Sequence, residues 1–214
     1  MKDTKRGRLI VFEGIDGGGK STQARLLAER LRAEGREVVL TAEPTDLPTG
    51  RALREALSGK VKKSECEMAL MFVADRIAHN TDPENGLRAL LERGIDVICD
   101  RYYYSTLAYQ GQSTDYAWVR EMNLRCPDIL RPDLCLYLDL LPEQSLARIR
   151  RGREGVEIYE NEETLSRVRE TFLRVIADLG KEERIEIVDA SPAPEEVAEA
   201  IAAVVQTLSN GERV

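Results

Sequence analysis

The residues with the plainest chemistry are Gly14-Ile15-Asp16-Gly17-Gly18-Gly19-Lys20-Ser21, followed by Thr22. A glycine, four residues of any type, a glycine, a lysine and then a serine or threonine is the spacing of a phosphate-binding loop. Each residue type has its own task there. Glycines let main-chain N–H groups turn inward around an anion with no Cβ in the way. Lys20 supplies an ammonium for β- and γ-phosphates, and the Ser21 hydroxyl suits Mg²⁺. The set reads as a nucleoside triphosphate site.

Such groups need a strand to deliver them and a helix to receive them. Leu9-Ile10-Val11-Phe12 is a short apolar, β-prone run just before the loop. After it, Ala24, Leu26, Leu27 and Leu31 recur at helical spacing, and the start of that helix aims its partial positive charge at the same anion. Further strands are expected over Glu37 to Ala42, Asp96 to Cys99, Leu134 to Asp139 and Arg184 to Val188, with the first ending at Glu13. Helices are expected over Ser21 to Glu34, Glu65 to His79, Glu84 to Arg93, Tyr116 to Cys126, Pro142 to Arg151, Glu162 to Leu179 and Pro194 to Leu208. Apolar strands alternating with helices predict an α/β three-layer sandwich, a five-stranded parallel sheet with helices on both faces. Ligands then gather beyond the carboxyl ends of the strands. At 214 residues the chain fits one domain, 1–214, with at most an inserted lid.

Those strand ends are polar. The second expected strand leads to Glu43-Pro44-Thr45, the third to Asp100-Arg101-Tyr102-Tyr103-Tyr104-Ser105, the fourth to Asp139, and the fifth to Asp189. Arg101 can grip a phosphate through two parallel hydrogen bonds. Asp100 can hold that arginine or a Mg²⁺-bound water, and a plain Asp–Arg pair is the duller alternative. Tyr102 to Tyr104 and Tyr109 can wall a nucleoside pocket or belong to the core. Phe72 and Arg76 share a helix face, which suits a nucleobase, although spacing alone favours a core ring beside a surface arginine. Asp16 is a carboxylate inside a loop built for anions, so it must meet a hydroxyl, a cation or a metal-bound water.

Arg148, Arg150, Arg151 and Arg153, with Gly152 and Gly155, form a cationic stretch. A solvated basic face is the ordinary explanation of such a run. The variable loop positions Ile15, Asp16, Gly17 and Gly18 carry no cation, so charge on a transferring phosphoryl must be met from elsewhere. A lid over about residues 148–161 is the expected source.

Composition narrows the classes. A net charge of −7 argues against broad nucleic-acid or anionic-membrane binding. No apolar stretch is long enough to span a bilayer, and no signal-peptide core follows the basic N-terminus. Cys66, Cys99, Cys126 and Cys135 lack C-x-x-C spacing and read as reduced, mostly buried thiols of a cytoplasmic protein. His79 is the sole histidine, expected at the surface of a helix end. The first residues and Ser209 to Val214 are expected as loose tails.

Residues 12–22 (Phe-Glu-Gly-Ile-Asp-Gly-Gly-Gly-Lys-Ser-Thr), Glu43-Pro44, Phe72 to Arg76, Asp100-Arg101-Tyr102 with Ser105, and Leu107 to Gly111 together resemble the thymidylate kinase family over nearly all the chain. The resemblance implies a P-loop kinase fold with a short arginine-rich lid, ATP with Mg²⁺ as donor, dTMP as acceptor, and a homodimer. It implies catalysis by Lys20, Arg101, Arg150, Arg151 and Arg153, ATP binding by residues 14–22 and Arg148, and metal contacts from Ser21 and Asp100. The implied dTMP set is Asp16, Glu43, Arg51, Phe72, Arg76, Arg101, Ser105, Tyr109 and Gln110. In family terms Phe72 stacks on thymine, Arg76 donates to a thymine carbonyl, and Asp16 sits near the sugar hydroxyl. Many bacterial members carry arginine where this chain has Ala42, and Arg51 or Arg54 is the expected substitute. A kinase of another deoxynucleoside or its monophosphate, or a regulatory ATPase, would use the same loop.

Overall fold

A computed structural model of the chain describes residues 6–152 and 162–210. In chain order its elements are β1 (Leu9–Glu13), α1 (Lys20–Ala33), β2 (Val38–Ala42), α2 (Pro48–Leu57), α3 (Glu65–Thr81), α4 (Leu87–Glu92) and β3 (Asp96–Asp100). There follow α5 (Tyr103–Ser113), α6 (Tyr116–Leu124), β4 (Leu134–Asp139), α7 (Pro142–Gly152), α8 (Glu162–Leu179), β5 (Ile185–Asp189) and α9 (Pro194–Asn210). The five described strands are all parallel, in the order β2-β3-β1-β4-β5.

Strand residues alternate between two apolar layers, as a pleated sheet covered on both faces requires. Leu9, Val11, Val97, Cys99, Cys135 and Tyr137 pack beneath α3, α4, α5 and α8. Ile10, Phe12, Ile98, Leu134, Leu136 and Leu138 pack beneath α1 and α9, where Ala24, Leu27, Ala28 and Leu31 meet Val197, Ile201 and Val205. This is the expected three-layer α/β sandwich. The central strands β1, β3 and β4 are nearly all buried, whereas the edge strands β2 and β5 are partly exposed.

Local chemistry sets the boundaries. A capping box between Ser64 and Glu67 starts α3, the two residues exchanging bonds of 2.9 and 3.2 Å. Asp82 accepts from the N–H of Glu84 (3.1 Å) and Asn85 (2.7 Å), a turn that delays α4 to Leu87 where periodicity predicts Glu84. Pattern reading gave no helix over Tyr103–Ser113, because tyrosines dominate its first turn. Tyr102, Tyr103 and Tyr104 are core residues, and the hydroxyls of Tyr103 and Tyr104 bond Glu183.

The four cysteines are free; Cys99 and Cys135 are buried, Cys126 is half-buried, and Cys66 on the outer face of α3 is exposed, contrary to a mostly buried set. Residues 153–161, holding Arg153 and most of the expected lid, lie outside the described residues, as do residues 1–5 and 211–214 of the expected tails. Among the described residues no helix is long and apolar enough to cross a membrane.

Candidate functional site

The glycine-rich loop leaves β1 and wraps into α1 through positive φ at Gly14 (141°), Gly17 (72°) and Gly19 (87°). Two of these also lie against backbone: a Cβ on Gly14 would come 2.6 Å from the Leu138 carbonyl oxygen, and one on Gly17 would come 2.8 Å from that of Ser145. Lys20 is buried, and its Nζ donates to the carbonyls of Gly14 (3.0 Å) and Ile15 (2.9 Å). Burial, with the Arg101 charge nearby, pulls the Lys20 ammonium down to about 8 against the opposing pull of Asp16, Asp100 and Glu13. The Ser21 hydroxyl donates to Asp100 Oδ2 at 2.5 Å. Asp100 thus holds Ser21, where sequence left a grip on Arg101 open.

Arg101 is paired with Asp16. The backbone of Arg101 is left-handed (φ 69°), which follows the end of β3 and accompanies a guanidinium turned toward the loop. Its Nη2 bonds Asp16 Oδ1, its Nη1 donates to Ser105 Oγ at 2.9 Å, and the guanidinium lies 5.5 Å from the Tyr109 ring centre. Burial works to raise the Asp16 carboxyl, but Arg101 and Lys20 hold it below the usual carboxylate range. The carboxylate therefore answers its own electrostatic problem with a cation from another strand end.

Behind this pair lies a buried network. Arg76 Nε donates to Glu43 Oε2 (2.8 Å), Nη1 to Asn123 Oδ1 (2.5 Å) and Nη2 to Thr106 Oγ1 (3.1 Å), and Arg76 is 1% exposed. The surface arginine favoured by spacing is thus overturned: the end of β2 delivers Glu43 to it through the core. His79 is also buried, not superficial, because α3 continues to Thr81 and holds the imidazole between Thr41 of β2 and Glu43. Its Nδ1 lies 3.0 Å from Glu43 Oε1 and its Nε2 lies 2.9 Å from Thr41 Oγ1.

A cleft of about 620 Å³ runs over the strand ends, from Glu43 and Arg101 across the loop to Arg148, Ala190 and Pro192. Arg148 Nη2 donates to the carbonyls of Ala190 (2.8 Å) and Ser191 (3.3 Å). Asp139 faces α8 and forms a two-bond pair with Arg169, at 2.7 Å each. Phe72 is half-buried on α3, and Ser105 and Gln110 are buried on α5, where Gln110 Oε1 has no hydrogen-bond partner. Arg51 is exposed and donates to the Asp46 carbonyl at 2.5 Å, while Arg54 bonds Pro44 and Asp46. Arg150 is exposed on α7, Arg151 continues that helix, and Arg153 lies outside the described residues. Glu13, fully buried at the end of β1, went unassigned in the sequence although a charge closing an apolar run was a visible signal.

A model of the thymidylate kinase family matches residues 12–201. The chain belongs to that family. A probable thymidylate kinase of Pyrococcus abyssi is 41% identical over 208 residues, covering 94% of this chain and 97% of the relative. The thymidylate kinase of Thermomicrobium roseum is 40% identical over 208 residues, at 95% and 97% coverage. That of Bifidobacterium longum subsp. infantis is 37% identical over 209 residues, covering 94% of this chain and 87% of its own. The family match begins at Phe12 and so takes in the whole phosphate loop of this thymidylate kinase family member.

Proposed function

We propose that the chain transfers the γ-phosphoryl group of ATP to dTMP, giving dTDP and ADP, as a step of dTTP synthesis. Family membership supports the reaction, and one structural observation supports its layout. A single cleft joins the phosphate loop to Arg101, whose guanidinium bonds a loop carboxylate, so two anionic ligands meet end to end there.

ATP lies on residues 14–22 beside Arg148, which lines the same cleft, and Lys20 neutralises charge on the transferring group. Ser21 and Asp100 offer the hard oxygen donors that Mg²⁺ takes, and they already sit within hydrogen-bond reach of each other. Those two residues would hold the ion, which supplies neutralisation of phosphate charge when bound. Arg101 orients the attacking phosphate oxygen of dTMP. Phe72, Ser105, Tyr109, Gln110, Glu43 and Arg51 make the acceptor side with Arg76 buried behind Glu43, and Asp16 takes the sugar hydroxyl as the dTMP phosphate replaces it on Arg101 Nη2. Arg150, Arg151 and Arg153 close over the γ-phosphoryl as a lid. A monophosphate is already an anionic nucleophile, so no general base is needed. The protein acts in the cytoplasm as a homodimer, and does not engage nucleic acid or membrane.

A coupled ADP-release assay over a panel of nucleosides and monophosphates tests this. dTMP is expected to stimulate turnover far above ATP hydrolysis alone. Absence of stimulation by dTMP, or stronger stimulation by another acceptor, removes the assignment.

A further inference from the structure

Glu13 has no part in the reading above, yet it is fully buried one residue before the phosphate loop. A buried carboxylate persists only where hydrogen bonds replace its water. Helix α5 supplies them. Its N-cap residue, Tyr102, makes no side-chain cap bond, so the first main-chain N–H groups need an acceptor from elsewhere. Glu13 Oε1 accepts from the N–H of Tyr102 (2.8 Å) and of Ser105 (3.0 Å), residues 89 and 92 positions further along. This is the bond that an N-cap aspartate makes to the third helical residue, here delivered from a neighbouring strand.

The second oxygen reaches further. Glu13 Oε2 accepts the Ser105 hydroxyl at 2.6 Å, and Ser105 Oγ accepts from Arg101 Nη1 at 2.9 Å. The arginine needs such support, since a left-handed conformation is unfavourable for a residue with a Cβ. Its N–H donates to the Phe12 carbonyl (2.9 Å) and the Cys99 thiol donates to its carbonyl (3.1 Å), so both ends of its backbone are also held. Burial pushes the Glu13 carboxyl up, opposed by the Arg101 charge and by the bonds from Ser105 and Tyr102.

We propose that Glu13 is a positioning residue for the acceptor's phosphate, fixing the Arg101 guanidinium through Ser105 in register with the loop that starts at Gly14. The chain carboxylate–hydroxyl–guanidinium ties the two halves of the cleft to one strand end. The inference rests on the reading of Arg101 as the ligand of the dTMP phosphate.

Steady-state kinetics of Glu13→Gln, Ser105→Ala and the double variant test it, with thermal unfolding run on each. Each single variant is expected to raise the dTMP KM by about tenfold while the ATP KM stays within about twofold, as loss of a hydrogen bond to a charged group predicts. The double variant is expected to exceed the larger single by less than about twofold, since both act on one path. A purely structural cap would lower the melting temperature and leave the dTMP KM alone, or move both KM values together; either result overturns the proposal. Should Glu13→Gln fail to fold, Ser105→Ala keeps both main-chain bonds to Glu13 while removing the relay together with the hydroxyl that Ser105 offers the acceptor side, and an unchanged dTMP KM there overturns it. Wild-type turnover of dTMP tests the reading of Arg101's substrate separately: its failure leaves no dTMP rate in any protein, whereas failure of the Glu13 role leaves a full rate in the variants.

Discussion

At the donor end of the cleft the shape is made by main chain: three glycines at positive φ carry the loop from β1 into α1, and Lys20 rests on two loop carbonyls. At the acceptor end the shape is made by side chains already matched to each other, Arg101 with Asp16 and Arg76 with Glu43. On the proposed reading a triphosphate meets a cradle of fixed curvature, whereas a monophosphate meets cations that must first share or exchange their partners. Preorganisation by backbone and preorganisation by ion pairs respond differently to substitution, because removing one member of a buried pair strands the other.

The largest effect is expected at the donor end. Lys20→Ala should lower kcat by roughly three orders of magnitude or more with the fold intact, measured as turnover beside a melting curve. Near-normal turnover would erase the distinction. At the acceptor end the two arginines should behave in opposite ways. Arg76→Leu leaves Glu43 buried without its cation and should reduce unfolding free energy by roughly 3–5 kcal/mol, seen as a fall in melting temperature of about 10 °C. An unchanged melting temperature would return Arg76 to a pure binding role. Arg101→Ala should instead cut kcat/KM for dTMP by about two orders of magnitude while the ATP KM moves less than about threefold. A smaller effect comes from pH. Lys20 has a lowered pKa of about 8, so its ammonium is present below that value and lost above it. ATP affinity of the nucleotide-free protein should be level up to about pH 7.5 and weaken roughly fivefold to tenfold by about pH 9, and Lys20→Arg should flatten the curve in calorimetry. The least change, within about threefold in dTMP KM, is expected of Tyr109→Phe, whose hydroxyl donates to Asp16 over 3.4 Å.

The same contrast explains what the sequence disclosed. The layers follow from apolar alternation, and the donor loop from glycine spacing, because both are local properties of the chain. The partner of Asp16 lies 85 positions away, that of Arg76 at Glu43 lies 33 away, and Ser105 lies 92 from Glu13. No window of sequence contains those pairs, so His79 read as a surface residue and Glu13 as an ordinary strand end. Family resemblance supplied acceptor roles for Phe72, Arg76 and Gln110, but it did not disclose that Arg76 is sealed in the core. The tyrosine run hides a helix for a local reason: aromatic residues at its start stand open between pocket wall and core until burial is known, and burial puts Tyr102, Tyr103 and Tyr104 in the core.

Phe12 stands beside Asp100 in the sheet, and the amide of Arg101 bonds the Phe12 carbonyl at 2.9 Å. Adjacent strands keep a spacing of about 4.8 Å whatever their connections do. The separation between the loop and the arginine is therefore gauged by a ladder of main-chain bonds and not by any turn. Insertions at the opposite rim of the sheet leave that ruler unmoved, which lets such a protein lengthen, shorten or decorate its connections while the reacting ends stay at one fixed interval.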